Sequence, residues 1–179
     1  MSSKGSGSDT KPAVRGLRVG VIGAGVMGSN HARVLAGLPD VTLVGIVDPL
    51  PEHRARATDL VGCRAFAELD ELLAEGVDAV TIAAPTHLHH EIALICIARN
   101  IHVLVEKPVA STVQEGRDIV DAARRAGVTL MVGHVEQFID SADGGAAQGA
   151  RDEFVLLLVG IGDADESDTR QSCKNAGMV

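Results

Sequence analysis

The chain has 179 residues, a net charge of −8, and a composition that is 46% hydrophobic but only 2% aromatic. That length supports one well-buried core with little left for a second of similar size. The acidic balance, with no basic cluster interleaved with aromatics, disfavours nucleic acid as a partner, and no apolar stretch approaches the ~20 residues needed to cross a bilayer.

Residues 1–15 are rich in Ser, Gly and Lys, lack the periodicity of either helix or strand, and read as a disordered leader. They contain no apolar core of a secretory signal, so a cytoplasmic protein is expected. Cys63, Cys96 and Cys173 are too widely separated for a disulfide framework or a zinc spacing and are read as reduced thiols. Cys63 and Cys96 sit in apolar surroundings, where each suits a small buried hydrophobe.

From Leu17 onward, apolar runs alternate with amphipathic ones. Leu17–Ile22 is a short, nearly wholly apolar strand that opens into Gly23-Ala24-Gly25-Val26-Met27-Gly28, three glycines spaced G-x-G-x-x-G. Gly23 permits the tight turn out of the strand. Gly25 leaves the backbone open to a pyrophosphate at the positive end of the following helix, and Gly28 lets that helix lie close. The helix carries Val26, Met27, Val34 and Leu35 and stops near Gly37 and Pro39. A second strand, Val41–Val47, ends at Asp48, twenty residues after Gly28. A carboxylate there accepts from adenosine ribose hydroxyls and repels a 2′-phosphate, which favours NAD(H) over NADP(H). Arg54 and Arg56 downstream are the groups that could hold such a phosphate.

Pro51 opens a helical segment to about Leu60, an extended piece covers Cys63–Phe66, and Leu69, Leu72 and Leu73 mark a short helix ending at Gly76. Ala79–Ala83 reads as the fourth strand. A helix to Asn100 follows, with Leu88, Ile92 and Ile95 on one face. Ile101–Val105 is the fifth strand; Thr112-Val113-Gln114-Glu115 is a capping-box pattern for a helix ending at Gly127; Val128–Val132 is the sixth strand. This rhythm predicts a doubly wound parallel α/β sheet, a three-layer Rossmann fold, over residues 16–138, with ligands at the carboxyl ends of the strands.

The strand ends carry distinctive residues. After the fourth strand comes Ala84-Pro85-Thr86-His87-Leu88-His89-His90, after the fifth Glu106-Lys107-Pro108, and after the sixth Gly133-His134-Val135-Glu136. His89 and His90 are read as solvent-facing or capping residues rather than metal ligands, because no carboxylate or cysteine completes a set. His102 is read as structural, and His134 as a residue that could face a substrate.

With the glycine turn and Asp48, these motifs in this order resemble the Gfo/Idh/MocA oxidoreductases, which include glucose-fructose oxidoreductase, inositol dehydrogenase and sugar-nucleotide dehydrogenases. The resemblance covers about residues 17–138. It implies a nicotinamide cofactor and a small-molecule substrate with a sugar, inositol or nucleotide-sugar hydroxyl. It places Pro85, Thr86 and His87 beside the nicotinamide ribose, and Lys107 near the reacting carbon, before a proline that is commonly cis. A lysine ammonium there can hydrogen-bond the alcohol oxygen and stabilise alkoxide charge, while Glu106 fixes its direction. The implied cofactor-binding residues are Gly23, Gly25, Val26, Met27, Gly28, Asp48, Pro85, Thr86, His87 and Glu106, with Lys107 catalytic and no metal.

The resemblance stops soon after the sixth strand. Where the family continues G-H-V-E-R-F-N-P-A into a second α/β domain, this chain reads Gly133-His134-Val135-Glu136-Gln137-Phe138-Ile139-Asp140. Residues 139–179 contain eight acids against three bases and only one strongly apolar stretch, Phe154–Ile161. They read as an acidic tail in place of the second domain. A truncated chain that binds cofactor and turns over poorly is expected, with a non-catalytic NAD-binding or regulatory fragment as the alternative. The sequence sets no oligomeric state.

Overall fold

The computed structural model describes residues 16–133. Six strands form one wholly parallel sheet: β1 (Leu17–Ile22), β2 (Val41–Val47), β3 (Ala65–Phe66), β4 (Ala79–Ile82), β5 (His102–Glu106) and β6 (Leu130–Gly133), in the order β3-β2-β1-β4-β5-β6. Five helices connect them: α1 (Val26–Ala36), α2 (Pro51–Val61), α3 (Leu69–Ala74), α4 (Thr86–Ala98) and α5 (Val113–Ala126). Strand order reverses between β1 and β4, and in open α/β sheets a ligand crevice forms outside the carboxyl ends at such a reversal.

Side-chain alternation along the strands divides the core in two. Val19 and Val21 of β1 pack with Ala32 and Leu35 of α1 and Ala57 of α2. Ile22, Val80, Ile82, Val103 and Val105 point the other way, onto Leu72 of α3, Ala93 and Cys96 of α4, and Ile119 of α5. Burying Leu35 or Leu72 contributes about 1.5–3 kcal/mol each. The sheet is thereby fixed from both sides, and the loops at its carboxyl edge stand on a rigid base.

The expected elements are present, with edges shifted by one or two residues. Ile101 precedes β5 rather than beginning it, because Asn100 adopts a left-handed conformation (φ 58°) and the Ile101 N–H closes back on the Cys96 carbonyl. Glu106 is therefore the last residue of β5 rather than the first beyond it. The capping box of α5 forms as read: Thr112 Oγ1 accepts from the Glu115 N–H (3.2 Å), and Glu115 Oε2 accepts from the Thr112 N–H (2.9 Å).

One expectation fails. The buried face of α4 is His89, Ala93, Cys96 and Ile97, while Leu88, Ile92 and Ile95 share a neighbouring, half-buried face. His89 is 1% exposed, so it is neither solvent-facing nor a cap. His90 is half-buried, its Nε2 3.5 Å from Asp118 Oδ2 and without a hydrogen-bond partner.

His102 is structural, as read. Its Nδ1 accepts from the Thr129 N–H (3.0 Å), which pins the loop before β6 to β5. Burial lowers its pKa, with Asp78 opposing, so the ring stays in the neutral form that can accept. Cys96 is fully buried and desolvation pushes its thiol up to about 12, as suits a small hydrophobe. Cys63 is half-buried with its pKa raised for the same reason, and Cys173 and His134 lie outside the described residues. No helix among the described residues is long and apolar enough to cross a membrane.

Candidate functional site

The glycine turn is built as its spacing requires. Gly23 has φ 97°, a conformation that disfavours a side chain, and a Cβ there would lie 2.6 Å from the Ala83 carbonyl oxygen. A Cβ at Gly28 would overlap the Gly23 carbonyl oxygen, so α1 rests directly on the turn. Gly25 differs: a Cβ added there meets nothing within 4 Å and would project into open space. Gly25 is also the N-cap of α1, and no side chain caps the helix or places an acid in its first turn. Val26 and Met27, which follow it, are exposed apolar residues at 81% and 39%. An uncapped helix N-terminus, an open approach and an apolar lip together fit a dinucleotide pyrophosphate and the groups it carries.

Asp48 is fastened to this turn. Its Oδ2 accepts from the Ala24 N–H (2.8 Å) and lies 3.1 Å from His53 Nδ1, while Oδ1 accepts from the Leu50 N–H (2.9 Å). A carboxylate has about four acceptor positions, so these contacts leave capacity on Oδ1 for a ribose hydroxyl. Burial opposes ionisation, but the two N–H groups and His53 outweigh it and hold the carboxyl below its ordinary value. Arg54, read from sequence as a group that could hold a phosphate, donates instead to the Asp48 and Pro49 carbonyls (2.7 and 2.9 Å). Arg56 is exposed.

The other strand ends converge on the same edge. Pro85 is the N-cap of α4, Thr86 its first residue, and His87 is exposed one residue on. Lys107 is exposed just past β5, and its bond to Pro108 is cis. The Glu106 carboxylate turns inward: Oε1 lies 2.6 Å from His31 Nε2 on α1, and Oε2 accepts from the Lys107 N–H (3.2 Å). Gly133, opposite on β6, leaves room for it, since a Cβ there would lie 2.9 Å from Oε1. The backbone of Lys107 is thus held by a carboxylate that α1 itself anchors.

His31 belongs to none of the sequence motifs, and only its position marks it: it stands three residues after Gly28 and four before Leu35, on the face of α1 that meets the sheet. Among the described residues no group of three or more His, Cys, Asp or Glu side chains could hold a metal.

Residues 17–134 match the model of an oxidoreductase family with an NAD-binding Rossmann fold, the Gfo/Idh/MocA family. The chain belongs to this family. It is 36% identical over 121 residues to a UDP-N-acetylglucosamine 3-dehydrogenase of Acidithiobacillus ferrooxidans, covering 68% of this chain and 38% of that protein. It is 38% identical over 128 residues to an inositol 2-dehydrogenase of Saccharopolyspora erythraea, covering 69% and 38%. Among solved structures it is similar to GenD2 from gentamicin A biosynthesis in complex with NAD (36% identity, TM-score 0.64, 74% of this chain and 37% of that one). It is also similar to the WlbA dehydrogenase of Chromobacterium violaceum in complex with NADH and UDP-GlcNAcA (29% identity, TM-score 0.63, 68% and 36%). The chain spans less than two fifths of the length of these Gfo/Idh/MocA relatives.

Asp48→Asn places an amide NH2 or a weaker oxygen where two N–H donors now meet a carboxylate. A loss of about 1–3 kcal/mol in urea unfolding at pH 7 is expected. Because the folded carboxyl titrates below its ordinary 3.8, this stabilisation is complete above that value and is lost as pH falls through the folded one. The gap between wild type and variant should therefore close in acid. Identical unfolding midpoints at pH 7 would contradict the role given to this carboxylate.

Proposed function

We propose that the chain binds NAD(H) at the glycine turn, in preference to NADP(H), and that its family chemistry is oxidation of a sugar, inositol or nucleotide-sugar hydroxyl. The observation that carries the reading is the N-terminus of α1, uncapped and open at Gly25, at the reversal of strand order. The NAD- and NADH-bound structures of similar proteins support it. Gly23, Gly25, Val26, Met27 and Gly28 would hold the pyrophosphate end, Asp48 the adenosine ribose, and Pro85, Thr86, His87 and Glu106 would shape the nicotinamide end.

The preference for NAD(H) follows from Asp48, an ionised acid facing any 2′-phosphate, with Arg54 already engaged on backbone carbonyls. When bound, the nicotinamide supplies the acceptor for hydride. Lys107 would hydrogen-bond the substrate oxygen and stabilise the negative charge that develops on it as the hydroxyl proton passes to solvent and the hydride leaves. Glu106 contributes by fixing the Lys107 backbone.

These 179 residues by themselves should bind cofactor and turn over poorly, because they match only the NAD-binding part of much longer dehydrogenases. Calorimetry should show NADH binding that Gly25→Val weakens by tenfold or more while the fold persists, since a side chain there enters the cradle. Unchanged affinity would refute the assignment. Lys107→Ala should keep NADH affinity and lose any sugar-dependent NADH formation. Turnover by the chain alone at about 1 per second or faster would overturn the expectation of poor activity.

A further inference from the structure

His89 is the most deeply buried histidine of the described residues, and its ring joins two segments that are far apart in sequence. Nε2 lies 2.7 Å from the carbonyl oxygen of Ala84, the residue before Pro85, and Nδ1 lies 3.0 Å from the carbonyl oxygen of Pro108, the residue after Lys107. Both partners only accept, so each bond requires an N–H from the ring; a neutral imidazole supplies one and a doubly protonated imidazole two. The ring sits on the buried face of α4 with Ala93, Cys96 and Ile97, so it cannot swing away without opening the core.

We propose that His89 is a positioning residue: by holding the Ala84 and Pro108 carbonyls on one ring, it sets the Pro85–His87 segment and Lys107 at the spacing that the nicotinamide half of the cofactor needs. This rests on the proposed binding of NAD(H). The adenosine half depends on other contacts, the glycine turn and the Asp48 bonds, none of which includes His89. Loss of the His89 bonds should therefore separate the two halves of the ligand.

The test compares NADH with ADP-ribose, which lacks the nicotinamide, on the wild-type chain, His89→Gln and His89→Leu. Circular dichroism and thermal melts check the fold. His89→Gln keeps an amide NH2 on a single nitrogen, which cannot span both carbonyls as the two ring nitrogens do, and should weaken NADH binding partly; His89→Leu has no donor and should weaken it by about tenfold or more. ADP-ribose affinity should stay within about twofold of wild type in both, a selectivity that a general packing defect would not produce. Equal losses for the two ligands, or no loss for either, would overturn the proposal. If His89→Leu fails to fold, His89→Gln carries the same comparison. A wild-type chain that binds neither ligand would refute NAD(H) binding itself, and this proposal with it; a wild-type chain that binds ADP-ribose while the NADH preference is untouched by His89→Gln would refute this proposal alone.

Discussion

The hydrogen bond from the Ala24 N–H to the Asp48 carboxylate is the interaction on which the candidate site depends. Ala24 lies inside the glycine turn and Asp48 at the end of the neighbouring strand, so one 2.8 Å contact makes the two halves of the motif a single unit. It also accounts for the ionised state of Asp48. A buried carboxyl tends to keep its proton, yet two backbone N–H groups and His53 reverse that tendency. The charge expected to discriminate between ribose and its 2′-phosphate is thus maintained by the same bonds that shape the turn.

Around this unit, a small number of polar contacts transmits position from one strand end to the next. A Cβ at Gly23 would press on the Ala83 carbonyl, so the turn lies directly on the segment leaving β4. His89 carries the connection from Ala84 to Pro108, and His31 carries it from α1 to Glu106 and so to the Lys107 backbone. The two histidines approach the Glu106-Lys107-Pro108 segment from different helices. Burial makes these contacts consequential, because a lost partner leaves a polar group that water cannot reach. The exposed groups, Lys107 and His87, are those left facing outward from this frame.

Much of the fold was legible in the sequence because its signals are local. The apolar runs of β1 and β2, the glycine spacing, Pro51 at the start of α2 and the Thr112–Glu115 capping box each specify their own geometry without distant partners. The family was legible for the same reason, since its motifs follow one another in order along residues 17–134. What the sequence hid were consequences of tertiary packing. Helix α4 is apolar on much of its circumference, packing on the sheet beside α5, so the apolar pattern alone does not single out His89, Ala93, Cys96 and Ile97 as its most deeply buried face. A histidine among apolar residues reads as polar and outward until two backbone carbonyls from other segments are found to receive it. His31 was hidden in the same way, its partner Glu106 being supplied by a strand remote in sequence.

The central claim is that the first turn of α1, fixed to β2 by Asp48, is where the cofactor pyrophosphate binds. Backbone amide NMR of the chain titrated with NADH tests it most directly. The account predicts the largest shifts at the amides of Gly25, Val26 and Met27, with a smaller response at Ala24 and Asp48 as the ribose is received. Saturable NADH binding that leaves those amides unmoved would contradict it.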